Sequence, residues 1–563
     1  MRHCPKVLSN WPLLLLIGAS FILTLAACWI VPYRMAFGPS GSKYTCFYLP
    51  DEATYATRLQ PLHQRSNANN TLNGVTDSNA ISPLFLERLI RGIVTLFDVD
   101  IIKVFWAWRV LFPMAFAIAC IVLARSALPR RLPTWTLPLY LSAAAAAFVL
   151  LYLGDDLLMA GYPLRYSVSR IPTSIEVLFS LLLAWLFVRF LSDPKFSSGA
   201  PLVLGAVLLL YLRPYAAIPW GMMIAACMSM MVLRRTLTLR LALALLGVTI
   251  LALLPLLLLA RLNSSSSAYA DMMQRTFYTP FPYSVHPRWL RFLIMAAGLW
   301  AFARFAEGRF RPFFHSAAIA LAVLPFICGL FSFAAEMVTN DRFVGFYLSV
   351  GLAGGMLILA RHSSNWKGRA GYRRARRFAF ALQGVALLAA VWVARTSLVY
   401  EINSPRSPYE YCVEEQRFLP AYQWTRQNTP PGALFLVDDG IDWSQMPLDD
   451  RFLKLFYRRM LWNEDFFQVV ARRRKVWSDK LQFDAISEQD LLSLYLLQQG
   501  TFGLAVPLER YRELFKRFDP SYILWHKNAP GNPPRPRGRS GDLKYAVVYS
   551  DAETEIWKIE GLK

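Results

Sequence analysis

The stretch Arg361-His362-Ser363-Ser364-Asn365-Trp366-Lys367-Gly368-Arg369-Ala370-Gly371-Tyr372-Arg373-Arg374-Ala375-Arg376-Arg377 carries seven Lys or Arg and no acid in seventeen residues. Apolar runs flank it on both sides, 343–360 before it and 378–397 after it. Such runs approach the length that crosses roughly 30 Å of hydrocarbon, and a dense basic hairpin between them resists translocation. The pattern therefore predicts two membrane spans joined on the cytoplasmic side.

Working outward, comparable apolar runs fall at 11–31, 104–123, 136–153, 173–190, 199–212, 216–233, 238–260, 289–303 and 315–335, which makes about eleven spans. The runs at 199–212 and 289–303 are short for perpendicular helices, and the topology beyond 199–212 inverts if that run is not a span of its own. With the N-terminus inside, the cytoplasmic connections are 124–135, 191–198, 234–237, 304–314 and 361–377, and everything after Thr396 lies outside. The run from Trp11 to Val31 is longer than a signal-peptide core, and Pro32-Tyr33-Arg34 offers no small-residue cleavage site, so it reads as an uncleaved first span. Against this scheme stand seven Lys or Arg between Tyr33 and Lys103, a segment also assigned outside; its length and its acids fit a translocated subdomain.

Composition agrees. Apolar residues make up 55% of 563, with 17 Trp and 38 Phe, and the mean hydropathy is +0.33. The formal charge of +23 comes from 60 Lys plus Arg against 37 Asp plus Glu. Much of that excess sits in short connections between apolar runs, where the positive-inside bias accounts for it and nucleic acid is not needed as a partner. Of seven Cys, Cys28, Cys120, Cys227 and Cys328 sit inside apolar runs as small hydrophobes, and Cys46 and Cys412 fall in outer segments. Cys and His show no metal-ligand spacing.

Two soluble portions remain. In the outer loop 33–103, Asp51 to Leu59 is helix-compatible and Asn67 to Asn79 is turn-rich. Pro83 to Phe97, capped by Ser82, suits a helix lying along the membrane surface. From Ser404 the composition changes. Helices are predicted at 418–427, 449–466, 487–499 and 508–518, with strands at 433–437, 502–506, 522–525, 545–549 and 554–559. That order implies a small α/β domain at 404–563 behind a mainly α-helical polytopic membrane domain at 1–403.

Charged groups near hydrocarbon cost several kcal/mol unless paired or hydrated, so their placement is informative. Asp51-Glu52 stand in the first outer loop, Asp155-Asp156 follow the third span, and Glu336, Asp341 and Arg342 fill the short outer connection between spans nine and ten. One topology gathers them all on one face. Each has a plainer reading beside the functional one: solvated loop acids at 155 and 156, an N-capping Asp51 with a first-turn Glu52, a local topology anchor at Asp341-Arg342. Arg165, Arg170 and Arg213, close to Pro163, Pro172 and Pro214, are either headgroup snorkellers or ligands for a lipid phosphate. In the C-terminal domain, Asp438-Asp439 after a strand resembles a metal or nucleotide site but reads better as a solvated strand end, Arg472-Arg473-Arg474-Lys475 reads as an outer surface or headgroup-facing patch rather than a nucleic-acid motif, and His526 as lacking a triad partner.

A first span, an outer Asp51-Glu52-Ala53-Thr54-Tyr55, many further spans and a soluble outer domain together resemble the polytopic GT-C class glycosyltransferases. The resemblance is to the bacterial protein mannosyl- and aminoarabinose-transferase type. It covers roughly 1–400 in architecture and a few residues in motif, and the Trp-Trp-Asp triplet of the oligosaccharyltransferase branch is absent. It implies an enzyme of the bacterial inner membrane, with a periplasmic or extracellular C-terminal domain. Such an enzyme takes a sugar from a polyprenyl-phosphate carrier and passes it to an envelope glycan, lipid or protein. It also implies catalytic roles for Asp51 and Glu52, a second acidic element at Asp155 and Asp156, and donor-phosphate contacts from Arg165, Arg170, Arg213 and Arg342. Tyr55, Arg58, Glu336 and Asp341 are supporting candidates. Glu52, Asp155 and Asp156 are the candidates for holding a divalent cation, Mg or Mn, although the class is not uniformly metal-dependent. A transporter or flippase of an envelope lipid or glycan, needing broken helices and internal repeats, and a membrane scaffold for envelope assembly are the competing expectations.

Overall fold

The computed structural model describes 171–264 without Arg213, 287–330, 343–364, 368–403, 417–438, 466–476, 488–502 (Gly503, Leu504 and Ala505 excluded), 506–528 and 543–562, together with Arg535 and Pro536. Helical positions are also described within 12–24, 92–97, 104–123 and 142–149.

Among the described residues, eight α-helices lie within 171–403: α1 Ile171–Ser192, α2 Phe196–Leu212, α3 Pro214–Leu233, α4 Leu239–Ser264, α5 Pro287–Phe302, α6 Arg311–Leu330, α7 Val344–Ser364 and α8 Gly368–Asn403. Their sequences are apolar around the whole circumference rather than along one stripe, as in Leu181-Leu182-Leu183-Ala184-Trp185-Leu186-Phe187-Val188 of α1, which marks helices buried in protein or hydrocarbon. Segments of α1, α3 and α8 are long and apolar enough to cross a membrane, and shorter apolar stretches occur in α2, α4, α5 and α7. The chain is thus a multi-pass helical membrane protein. The 199–212 run forms a helix of its own, packed against α1, α3 and α4.

Short described connections reverse the chain between α1 and α2, α3 and α4, and α5 and α6. One end of the bundle collects the junctions α1–α2, α3–α4, α5–α6 and α7–α8. There the Arg361 guanidinium, in the last turn of α7, donates to the carbonyls of Arg304 and Ala306 at 2.9 and 2.7 Å, closing the chain end that follows α5. Trp300 and His315 stack at 4.4 Å between α5 and α6, and α1 packs on the Gly308–Phe310 turn. Arg189, Arg234, Arg235, Arg304, Arg309 and Arg311 belong to this end along with the hairpin arginines Arg373 to Arg377. Its acids, Asp193 and Glu307, form exposed local pairs with Lys195 and Arg309, which contribute little to stability.

The core of the bundle is aromatic. Phe187, Phe313, Phe314, Trp220 and Phe346 are fully buried, with edge-on contacts Phe187–Phe313 at 5.5 Å and Trp220–Phe346 at 5.1 Å. Close packing needs small residues opposite them. A Cβ on Gly354 of α7 would stand 2.9 Å from Cε1 of Phe314.

Beyond α8 the chain forms α9 Leu419–Asn428, β1 Leu434–Val437, α10 Phe466–Ala471, β2 Arg474–Lys475, α11 Glu488–Thr501, α12 Leu508–Phe518, β3 Tyr522–His526, β4 Leu543–Ser550 and β5 Thr554–Leu562. The α12 limits match the sequence expectation, as does the closing β4–β5 hairpin. The expected strand at 502–506 does not hold at its described residues: Phe502 is a turn ending α11 and Val506 is irregular. The expected helix at 449–466 lies outside the described residues except for Phe466. The five strands make one mixed sheet in the order β2-β1-β3-β5-β4, with β1 parallel to both β2 and β3 and the last three antiparallel. On one sheet face Phe435, Val437, Tyr522, Leu524 and Ile556 pack with Ala421 and Tyr422 of α9 and Phe467 and Val470 of α10. The same cluster takes in Val94, with Trp108 and Ile175 packed against it, so the sheet domain sits directly on the bundle.

Replacing Gly354 with Val forces Phe314 to move in a filled core and should cost about 1–3 kcal/mol, read as a lower melting temperature in detergent. Gly351→Ala, where a Cβ meets nothing within 4 Å, should leave the melting temperature unchanged; equal losses at both positions would refute the packing argument.

Candidate functional site

The end of the bundle that meets the sheet is also where buried polar groups gather. Ser174, Glu176 and Ser180 of α1 are all buried, Glu176 to 1% exposure. Ser174 Oγ accepts from Trp108 Nε1 at 2.5 Å, and Ser180 Oγ accepts from Trp220 Nε1 of α3 at 3.2 Å. Glu176 lies against the start of α7: a Cβ on Gly345 would stand 3.2 Å from both its Oε1 and its carbonyl oxygen, and 2.9 Å from Ser180 Oγ. Helices α1 and α7 thus meet at a carboxylate about one turn inside α1, with α3 bonded to Ser180 one turn further on. The sequence carried that signal, a single acid at the head of an apolar run, and the span reading passed over it.

The residues expected to do chemistry, Asp51, Glu52, Tyr55, Arg58, Asp155, Asp156, Arg165, Arg170, Arg213, Glu336, Asp341 and Arg342, all lie outside the described residues. What is described are the helix ends that flank several of them: Ile171 after Arg170, Leu212 and Pro214 around Arg213, Leu330 before Glu336, and Phe343 after Arg342. Helix direction assigns every one of those ends to the sheet end of the bundle, opposite the basic hairpin.

A second polar group lies within the sheet domain. Parallel strands β1 and β3 point their carboxyl ends the same way, and the chain leaves β1 to one side for β2 and returns to its other side for β3. Asp438, the residue after β1, is fully buried and His526, the last residue of β3, is 5% exposed. Asp438 Oδ2 accepts from the His526 backbone N–H at 2.6 Å, and Oδ1 is 2.5 Å from His526 Nδ1. A proton on Nδ1 leaves Nε2 as an acceptor, and the Tyr422 hydroxyl, 2.9 Å away, is placed to donate to it. Phe418 meets the imidazole edge-on at 4.3 Å.

This overturns two expectations. Asp438 is not a solvated strand end, and His526 does have acid and hydroxyl partners, 88 and 104 residues away in sequence. The presumed surface patch at 472–475 is corrected as well, since Arg473 and Lys475 are buried. Arg473 caps the carboxyl end of α9, donating to Thr429 Oγ1 at 2.9 Å, to the Arg426 carbonyl at 2.8 Å and to the Thr429 carbonyl. Burial and the nearby Arg426 charge hold its pKa below the usual arginine value.

Across the sheet, Glu555 receives Trp557 Nε1 at 3.0 Å, Arg535 at 3.2 Å and Lys527 at 3.3 Å. Burial acts to raise its pKa, but the hydrogen bonds from Trp557 and Lys527 and the charges of Arg535 and Lys527 more than offset it and hold the carboxyl below its usual range. Burial pushes the Tyr511 phenol up to about 12 while its hydroxyl pairs with Thr501 at 3.0 Å. Among the described residues no group of three or more His, Cys, Asp or Glu is arranged to hold a metal ion; Glu52, Asp155 and Asp156 are not among them.

The chain is similar to the crystal structure of ArnT from Cupriavidus metallidurans bound to undecaprenyl phosphate, over 97% of its own length and 98% of the other's, with a TM-score of 0.49 and 13% sequence identity. No family model matches the sequence, and no curated protein matches it.

Two outcomes follow from the electrostatics. His526→Ala removes the imidazole partner of the buried Asp438 Oδ1 while keeping the backbone N–H on Oδ2, and should cost about 1–3 kcal/mol, against about 0.5–1.5 kcal/mol for Tyr422→Phe, in denaturant unfolding of the full-length protein; equal, small losses would remove the case for a buried carboxylate that depends on the imidazole. For Glu555, a depressed pKa means the stabilisation is present above the unfolded-state value of about 4.3 and disappears as pH falls through the folded-state value. The melting-temperature gap between wild type and Glu555→Gln should therefore be open at pH 7 and close in acid, and a gap independent of pH contradicts the pairing.

Proposed function

We propose that this protein transfers a sugar from a polyprenyl-phosphate-linked donor to an envelope glycan, lipid or protein at the outer face of the membrane. The observation that carries the reading is the polarity of the bundle: the helix ends flanking Arg170, Arg213, Glu336 and Arg342 belong to the end covered by the sheet domain, opposite the arginine-rich hairpin. The positive-inside bias makes the hairpin end cytoplasmic. The sheet end is then periplasmic or extracellular, and the chain divides into a membrane domain at 1–403 and an extracytoplasmic domain at 404–563.

On this reading Asp51 takes the proton of the acceptor hydroxyl as its oxygen bonds to the anomeric carbon. The bond from that carbon to the phosphate oxygen breaks with inversion, and the lipid phosphate departs as an anion. Phosphate is a stable leaving group, so it needs its charge balanced more than it needs a proton. Arg165, Arg170, Arg213 and Arg342 supply guanidinium contacts for that purpose. Glu52, Asp155 and Asp156 complete the acidic set and are the residues that would hold a Mg or Mn ion, which would add positive charge at the phosphate. Tyr55, Arg58, Glu336 and Asp341 support this constellation. A buried carboxylate at the sheet end of α1, Glu176, fits a site there, because charge is kept in a membrane bundle at considerable cost.

Asp51→Asn should insert and fold as the wild type does while losing sugar transfer in proteoliposomes supplied with polyprenyl-phosphate sugars and envelope acceptors, read as the acceptor's mass gain of one sugar. Turnover within a few-fold of wild type removes Asp51 from the base role.

A further inference from the structure

The basic end of the bundle carries a cluster built by three helices. Arg234 stands just past the last turn of α3, Arg311 opens α6, and His315 lies one turn further along α6. The charges of Arg234 and Arg311 both act on the His315 ring, so two helices bring two exposed guanidinium groups and an imidazole to one spot. Trp300, near the end of α5, stacks on that imidazole at 4.4 Å with half of its side chain still exposed. On the outward face of α5, Leu290, Leu293 and Ile294 are exposed first, and Trp300 and Phe302 follow. Exposed aliphatic side chains giving way to aromatic ones mark the passage of a helix from hydrocarbon into the headgroup layer. The cluster therefore lies at headgroup depth.

Among the described residues the acids of this end, Asp193 and Glu307, are engaged by Lys195 and Arg309. The first turn of α6 holds no acid, so Arg311 sits at the positive end of a helix dipole, where an anion is favoured and a cation is not. The turn after α3 adds Arg235. Its φ of 57° is the left-handed conformation that glycine ordinarily supplies at a helix end, and the N–H groups of Thr236 and Leu237 both close on the Met231 carbonyl, at 2.9 and 3.2 Å. Leu237 is buried in the bundle core and pins this turn, leaving Arg234 and Arg235 on the surface.

We propose that the end of α5, the α3–α4 turn and the head of α6 form a binding site for the phosphodiester of an anionic phospholipid. The guanidinium groups of Arg234 and Arg311 take the phosphate oxygens, the imidazole N–H of His315 adds a donor, and the exposed part of Trp300 covers the glycerol and first acyl carbons. Basic pockets between membrane helices attract such headgroups, each arginine being worth about fivefold in affinity. A lipid held there bridges α3, α5 and α6 and braces the basic end of the bundle. The site lies opposite the sheet domain and does not rest on the sugar-transfer reading.

The test is native mass spectrometry of the full-length protein in detergent, titrated with phosphatidylglycerol and, separately, with phosphatidylcholine. The wild type should bind the anionic lipid in preference. Arg234→Gln combined with Arg311→Gln should weaken phosphatidylglycerol binding about thirtyfold, from about fivefold for each, and leave phosphatidylcholine binding unchanged. Arg373→Gln with Arg374→Gln removes the same charge from exposed positions of the hairpin and should change it little. Trp300→Ala should lower the affinity and Trp300→Phe restore most of the loss. Equal losses in the two double variants show a diffuse attraction to basic surface and overturn the site, as does equal affinity of the wild type for both lipids. Displacement of phosphatidylglycerol by millimolar inorganic phosphate assigns the cluster to a free anion and overturns the lipid. Should the double variant at Arg234 and Arg311 fail to insert, the single variants decide: a loss of about fivefold with each supports the site, and unchanged affinity in both overturns it.

Discussion

The first turn of α1 is the joint on which the two halves of the molecule depend. Three consecutive residues there face three different bodies: Ser174 accepts the Trp108 indole N–H, Ile175 packs on the core of the sheet domain, and Glu176 lies against α7. Trp108 belongs to both sides, since its ring packs against the bundle core and against the cluster under the sheet. An indole suits such a boundary, offering a large apolar face and one donor that must find an acceptor when buried. A rotation of α1 about its axis would disturb the sheet contact and the carboxylate together, so the packing of Glu176 and the docking of the sheet domain are mechanically one feature.

The opposite end of the bundle has a different logic. Its arginines are mostly exposed, and Arg361 donates to the backbone carbonyls of Arg304 and Ala306. Such charges set orientation in the membrane. At the sheet end the described polar groups include the buried Ser174, Glu176 and Ser180 of α1.

Much of this was legible in the sequence because hydrophobic length and turn chemistry are local properties. The run at 216–233 became Pro214–Leu233, and 508–518 became Leu508–Phe518, since apolar periodicity and flanking Pro residues decide those limits without help from elsewhere in the chain. Asp438 and His526 were misread because burial of a strand-end carboxylate depends on which strand pairs beside it, and β3 begins 84 residues further on. Arg473 was misread for a similar reason. Four consecutive basic residues look like a solvated face unless the carboxyl end of α9, some forty residues earlier, is known to lie within reach. Glu176 differs from these, because a single acid in an apolar run can be seen locally; what the sequence withholds is that α7 packs against it at Gly345.

The two buried acid groups also show how to separate scaffolding from function. Both oxygens of Asp438 have partners from His526, and the histidine's remaining nitrogen is bonded to Tyr422 beneath the Phe418 ring. A polar network closed in this way specifies how α9, β1 and β3 fit together and offers a substrate little to bind. Its position at the carboxyl ends of parallel strands, where open α/β sheets commonly bind ligands, is here occupied by the protein's own side chains. Glu176 sits instead at the mouth of a helix bundle, beside the segments that carry the unassigned acids and arginines. The sheet domain therefore rests on the bundle end where Ser174, Ile175 and Glu176 lie, with its own strand-end polar groups Asp438 and His526 paired to each other.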